Sequence, residues 1–233
     1  MHESSYYQPA LTKVQENALL RSVYNWMMAG LFISGFTAFF AGNNVAIQQL
    51  LFGNPYVIWI LVLGELGLVF VISGGNRSMT ASTASGLFIL FSFLNGLTIS
   101  SIFLIYTAQS ITTTFFITGL TFGVTSFYGY VTKRDLTSLG NFMFMGLIGI
   151  IIASVVNMFL HNPAMSWVIS YLGIIIFVGL TAYDTQKIRK LGETIKSNGE
   201  QFNKLAIIGA LSLYLDFINL FLILLRFTGR GRD

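Results

Sequence analysis

Seven apolar stretches, each near the length a lipid bilayer demands, constrain this chain more than any other feature. They run roughly Val23–Ala41, Tyr56–Ser73, Ser85–Thr107, Ile111–Val131, Phe142–Leu160, Met165–Tyr183 and Leu205–Leu225. A hydrocarbon core about 30 Å thick takes about 20 helical residues to cross. The gaps carry turn punctuation: Gly53-Asn54-Pro55, Gly74-Gly75-Asn76 and His161-Asn162-Pro163. Helices are expected rather than barrel strands, because the runs show no alternation of apolar and polar residues.

The composition agrees. Only 9% of the 233 residues are charged and 54% are hydrophobic, whereas soluble domains carry about 25% charged residues. Such a chain cannot coat a globule with polar side chains, so its surface faces the lipid bilayer. The expected organisation is an N-terminal segment over 1–22, a seven-helix transmembrane domain over 23–226 and a short basic tail over 227–233. The first 22 residues lack the short basic start and small-residue cleavage site of a secretory signal, so the first helix is expected to stay.

Ten basic residues sit before the first stretch or after the second, fourth and sixth. They are Lys13, Arg21, Arg77, Lys133, Arg134, Lys187, Arg189, Lys190, Lys196 and Lys204. The gaps after the first, third and fifth stretches have none. This alternation places the N-terminus in the cytoplasm and accounts for the net charge of +4 without nucleic acid. The tail residues Arg226, Arg230 and Arg232 conflict with it, since seven crossings would export them. Seven crossings are still expected, because Leu205–Leu225 is long enough to span.

There is no cysteine, which removes disulfides and thiolate chemistry. No HExxH, phosphate-loop or GxSxG pattern occurs. His2 lies in the N-terminal tail and His161 in a polar turn. The chain is therefore read as not an enzyme, with no cofactor. Small residues recur at four-residue spacing in Gly30/Ser34, Ser92/Gly96/Ser100 and Gly119/Gly123. These are expected to pack helices inside the bundle, with a specific dimer face as the alternative for Gly119/Gly123.

Charge within a span costs at least about 2.5 kcal/mol, so an intramembrane acid calls for a partner, a proton or water. Asp216 lies mid-way along the seventh stretch, in a polar stripe with Gly209, Ser212 and Asn219. Two roles are open for it: a protonated packing residue, or part of an ion or proton site. Asp184 ends the sixth stretch, where the last helical turn would already be wet. Glu65, mid-way along the second, fits a buried neutral carboxyl and a pore-lining carboxylate equally. Arg77, just past that stretch, reads first as a topology anchor within reach of Asp184.

Should Asp184 and Asp216 meet, they could not both ionise easily and would share a proton. Fully ionised, the pair would repel and would suit a hard cation such as calcium. A ruler argues against the meeting: at about 1.5 Å per residue, their depths in the bilayer differ by roughly 13 Å.

Leu180-Thr-Ala-Tyr-Asp184-Thr-Gln-Lys-Ile188 resembles the sixth-helix signature of the Bax inhibitor-1 family, and Ser212-Leu-Tyr-Leu-Asp216-Phe-Ile-Asn-Leu-Phe221 resembles its last-helix signature. Tyr128–Leu136 followed by Met145-Gly146-Leu147 is similar to the bacterial branch. The likeness runs from Arg21 to Arg226. It implies seven helices with the last one central, an address in the bacterial plasma (inner) membrane, and a pH-sensitive calcium leak sensed by Asp184 and Asp216. It also implies, on less distinctive motifs, Arg77 as a latch and Glu65 as a pore-side acid. Roles of longer charged tails in the family do not carry over to this short one. The family's description as suppressors of cell death or stress is a phenotype, not a chemistry.

The leading expectation is a cation leak gated by that pair. The alternative is a non-transporting regulator that binds other membrane proteins, such as quality-control machinery or stress-response factors. A proton-coupled transporter would show broken helices and inverted repeats, which are not apparent. A paired-aspartate intramembrane protease is a further alternative that a peptidase assay addresses.

Overall fold

The computed structural model describes residues 4–74, 79–195 and 199–231, with side chains from residue 17 onward. Arg77, His2, Glu3, Gly75, Asn76, Lys196 and Arg232 lie outside the described residues or side chains. The described residues form nine helices in chain order: α1 (Ser4–Gly42), α2 (Val45–Phe52), α3 (Pro55–Ser73), α4 (Ala81–Ile99), α5 (Ile102–Ile105), α6 (Ala108–Val131), α7 (Thr137–Leu160), α8 (Pro163–Thr194) and α9 (Glu200–Thr228). Seven spans are long and apolar enough to cross a membrane, with α4 and α5 together forming the third.

Turn chemistry starts these helices. Asn54 accepts a hydrogen bond from Tyr56 N at 3.0 Å, and Pro55 begins α3 with its fixed φ. Thr80 caps α4 by accepting from Thr83 N at 3.2 Å. His161 closes α7 in the left-handed region at φ 50°, and Asn162 accepts from Ala164 N at 2.9 Å as α8 begins. Asn44 likewise caps α2, an eight-residue helix that the apolar pattern did not mark.

Several helices run well past the apolar edges. α8 continues to Thr194 and α9 starts at Glu200, because Lys, Arg, Glu and Gln hold a helix outside lipid as readily as Leu does inside. Asp184 is therefore not at a helix end. It lies ten residues, about 15 Å, before the end of α8. α9 is unbroken over 29 residues, about 43 Å of rise. That is long enough for a full crossing of a core about 30 Å thick.

The chain falls into two compact units. The first comprises residues 1–108, 188–214 and 230–233. Here α1 and α4 approach backbone to backbone: a Cβ on Gly96 would lie 2.7 Å from Ser34 O, and one on Gly30 would lie 2.9 Å from Ser92 Oγ. The small residues expected to pack helices do so at this seam. Phe88 and Phe91 meet the Tyr214 ring edge-on at 5.9 and 5.5 Å. A carboxylate oxygen of Glu200, at the start of α9, accepts the first backbone N–H of α4 from Ala81. At the other end, Thr107 N donates to Arg230 O at 3.2 Å, and Tyr106 bridges Gly231.

The second unit comprises residues 109–187 and 215–229. Its core gathers Met143, Ile176, Phe177, Leu180 and Leu220. α8 nests against α6 at Gly129, where a Cβ would come within 2.2 Å of Ala182 O, and against α7 at Gly140, where it would overlap the Tyr183 ring. The Gly119/Gly123 pair departs from expectation: nothing lies within 4 Å of a Cβ at either position, so these two do not pack inside the bundle.

Large side chains such as Phe32, Phe70, Phe116, Leu120, Phe142 and Phe159 are exposed, as lipid-facing residues are. The last helix is the most enclosed span, with 61% of its membrane-length window buried against 11% for α3 and for α7. The described residues make a seven-span all-α membrane protein.

Candidate functional site

Acids and hydroxyls that lipid would reject are gathered in two places, one in each unit. In the second unit the segment Thr181–Gln186 of α8 is clamped along its length. Thr185 Oγ1 lies 2.9 Å from Ser126 Oγ of α6, about one turn from the Gly129 contact. Gln186 is buried; its Oε1 accepts from Leu136 N at 2.9 Å, and its Nε2 donates to Arg134 O at 2.8 Å. One amide thus fastens the α6–α7 turn to α8.

Within this frame Asp184 is half-buried and Asp216 of α9 is buried. The two carboxyl groups lie within electrostatic reach of each other. The expected depth offset does not separate them, because the ruler began at apolar edges that are not helix ends. Lys187, one turn past Asp184, is within electrostatic reach of it and stands 5.9 Å over the Tyr183 ring. Asp216 Oδ2 has no hydrogen-bond partner among the described residues. A buried carboxyl oxygen in that condition is costly unless a proton or cation joins it. Next to it, Phe217 packs edge-on against Phe115 and Phe122 at 5.4 and 5.6 Å, which keeps water from that side.

The polar stripe expected on α9 is only partly a partner-seeking face. Asp216 is enclosed, but Asn219 Nδ2 donates to Leu215 O of its own helix at 2.8 Å. Among the described residues no group of three or more His, Asp and Glu gathers as a metal cage. A calcium ion at Asp184 and Asp216 would draw on two carboxylates and complete its shell with carbonyl, hydroxyl or water oxygens.

Glu65 belongs to the first unit and joins a different cluster. Its Oε2 accepts from Asn95 Nδ2 at 3.0 Å, and its Oε1 accepts from the Thr98 hydroxyl. Asn95 Oδ1 in turn accepts from Tyr214 OH at 2.8 Å, and Tyr214 OH lies 2.6 Å from Ser34 Oγ. Ser34 Oγ is also 2.6 Å from Ser92 O. Glu65, Asn95, Tyr214, Ser34 and Ser92 are all buried. Asn95 and Tyr214 were not foreseen; each sits in an apolar run where a single polar atom is easily passed over.

A chain whose described residues are helical, with seven lipid-length helices and buried acids at Asp216 and Glu65, is a polytopic integral membrane protein. Over residues 16–233 it matches the family described as inhibitor of apoptosis-promoting Bax1, and it belongs to that Bax inhibitor-1 family. It is 49% identical over 214 residues to the Inner membrane protein YbhL of Escherichia coli K12, covering 91% of this chain and 92% of that one. An uncharacterised Borreliella burgdorferi protein is 46% identical, covering 94% of each chain, and an uncharacterised Rickettsia prowazekii protein is 45% identical, covering 91% and 89%. The bacterial plasma (inner) membrane is accordingly its location.

Proposed function

We propose that the protein is a pH-sensitive cation leak, with calcium as the permeant ion, gated by Asp184 and Asp216. The observation that carries this reading is a buried carboxyl on the last helix with an unpartnered oxygen, in electrostatic reach of a second carboxyl on α8. Two acids so placed compete for one proton. Sharing it, they hold α8 and α9 together. When both are ionised they repel and offer hard oxygens to a divalent cation. Protonation thereby couples to helix separation: the compact arrangement loses stability as pH rises and the shared proton leaves.

In this reading the N-terminus is cytoplasmic, Glu65 is a pore-side acid and Arg77 an alternative partner for one carboxylate. The test is calcium flux into proteoliposomes across a pH series, for the wild type, Asp184→Asn and Asp216→Asn. The expected result is a pH-dependent flux whose midpoint moves or vanishes in both variants. Flux equal to that of empty liposomes in all three would overturn the leak and leave the alternative, a regulator that acts by binding other membrane proteins.

A further inference from the structure

In the second unit α8 and α9 run antiparallel, with Gly173 opposite Ile223 and Ser170 opposite Arg226. At that level Arg226 Nη1 donates to Ser170 Oγ at 3.2 Å. Ser170 is buried and its own proton goes to Ser166 O at 2.8 Å, so its hydroxyl oxygen is set to accept from the arginine. Pro163, where α8 begins, lies seven residues, about 10 Å, further toward the end of the span. An arginine near the end of a membrane helix ordinarily turns its head outward to water. Arg226 is instead tied sideways onto α8.

That bond occupies one of five guanidinium N–H donors, and the side chain is otherwise exposed. The acids of this unit stand far from it. Asp216 is ten residues, about 15 Å, back along α9, and Asp184 is fourteen residues, about 21 Å, past Ser170 on α8. Asp135 precedes α7, whose far end leads into α8. Glu193 and Glu200 lie further still along the same two helices. A cation held within a span calls for a counter-charge. The partner that fits is a negative oxygen group from outside the chain.

Beside the arginine stands an aromatic wall. The Phe227 ring lies 5.2 Å from Trp167 and 4.9 Å from Tyr171, and Trp167 lies 6.3 Å from Tyr171. Trp167 and Tyr171 are both exposed. Amphipathic rings of this kind settle at the level of lipid headgroups, which puts the neighbouring Arg226 at the same level. Toward the middle of α8 the exposed face continues, uncharged, as Leu172 and Ile175. A guanidinium, a ring wall and an apolar strip thus follow the order of phosphate, glycerol and acyl chain in a single phospholipid.

We infer that Arg226, fixed by Ser170 and walled by Trp167, Tyr171 and Phe227, binds one phospholipid of net negative charge. Its phosphate pairs with the guanidinium and its acyl chains lie along Leu172 and Ile175. The planar guanidinium fork suits two phosphate oxygens at once. A zwitterionic lipid brings its own cation, which would stand beside Arg226 with no acid to receive it. The site also gives Arg226 a purpose that the charge alternation of the loops does not, since seven crossings would put this arginine on the side that basic residues avoid. The inference needs no ion flux and does not rest on the leak reading.

The test is fluorescence quenching by lipids brominated on their acyl chains, with Trp167 made the sole tryptophan by Trp26→Phe and Trp59→Phe. Brominated phosphatidylglycerol in a phosphatidylcholine bilayer is compared with the reverse mixture. The expected result is about a fivefold preference for phosphatidylglycerol, equivalent to about 1 kcal/mol for one basic residue at a lipid surface. It should fall to parity in Arg226→Gln, whose amide can still donate to Ser170. A chain whose sole tryptophan is Trp59, exposed on α3, should show parity throughout. Native mass spectrometry of the wild-type chain from mixed-lipid membranes should retain one phosphatidylglycerol, and the Arg226→Gln chain none. Equal quenching by both lipids at Trp167, a preference that survives Arg226→Gln, or the same preference at Trp59 would each overturn the site. Displacement of the lipid by inorganic phosphate would mark a soluble-anion site and overturn it too.

Discussion

Replacing Gly129 with Ala probes the α6–α8 seam that presents Asp184. An added Cβ would sit 2.2 Å from Ala182 O, 2.9 Å from Ala182 C and 3.0 Å from Ala182 Cα. Ordinary van der Waals contact begins near 3.4 Å, so the helices must part by roughly 1 Å, and the obstacle is backbone that cannot swing aside. Overpacking of this kind costs about 1–3 kcal/mol. Alanine's better helix propensity returns up to about 1 kcal/mol. Gly119→Ala supplies the control, on the same helix ten residues earlier, with nothing within 4 Å of the new methyl. The propensity gain is common to both variants and cancels in their difference, which is expected at about 1–3 kcal/mol with Gly129→Ala the less stable. Reversible unfolding in mixed micelles reads it, with midpoints separated by about 2–4 °C per kcal/mol for a chain this size. The Gly129 variant should also alter flux, because Ala182 is two residues before Asp184. Equal stability of the two variants would refute the close approach.

Asp216→Asn is expected to remain folded, since it keeps the shape and removes only the charge, and to lose pH dependence of calcium flux while Glu65→Gln retains it. Gln186→Leu strands Leu136 N–H and Arg134 O. It should destabilise by about 2–5 kcal/mol and hasten hydrogen exchange at residue 136. Thr114→Val breaks the hydroxyl pair with Thr228 at 2.5 Å; a loss of about 1 kcal/mol is expected, visible as earlier proteolysis of residues 229–231.

What could be read from residues alone was set by length. A run such as Phe142–Leu160 has no other physical home than lipid, so the number of spans and the all-helical class were legible. Helix ends were not, because Thr185–Thr194 is polar and hydropathy falls there although the hydrogen-bonded ladder does not. That misplaced Asp184 at a wet terminus and produced a depth offset with Asp216 larger than their approach allows. Asp184 and Asp216 stood out as acids in apolar surroundings. Gly129, Gln186, Asn95 and Tyr214 did not, since their roles depend on which helix lies opposite, a fact that no local pattern carries. Gly119 and Gly123 show the converse: a four-residue spacing permits close packing but does not say that a neighbour is present.

The most enclosed of the seven spans is also the last of them to leave the ribosome. At about 5–20 residues per second, Ser34, Glu65 and Asn95 wait many seconds in the membrane before Tyr214 is made. During that interval they need substitute partners: water, the insertion machinery or lipid carbonyls. A nascent chain halted before Glu200 would present an unfinished polar seam to whatever surveys the bilayer for defects. The order of synthesis thus makes α9 the last of the seven spans available to close that seam.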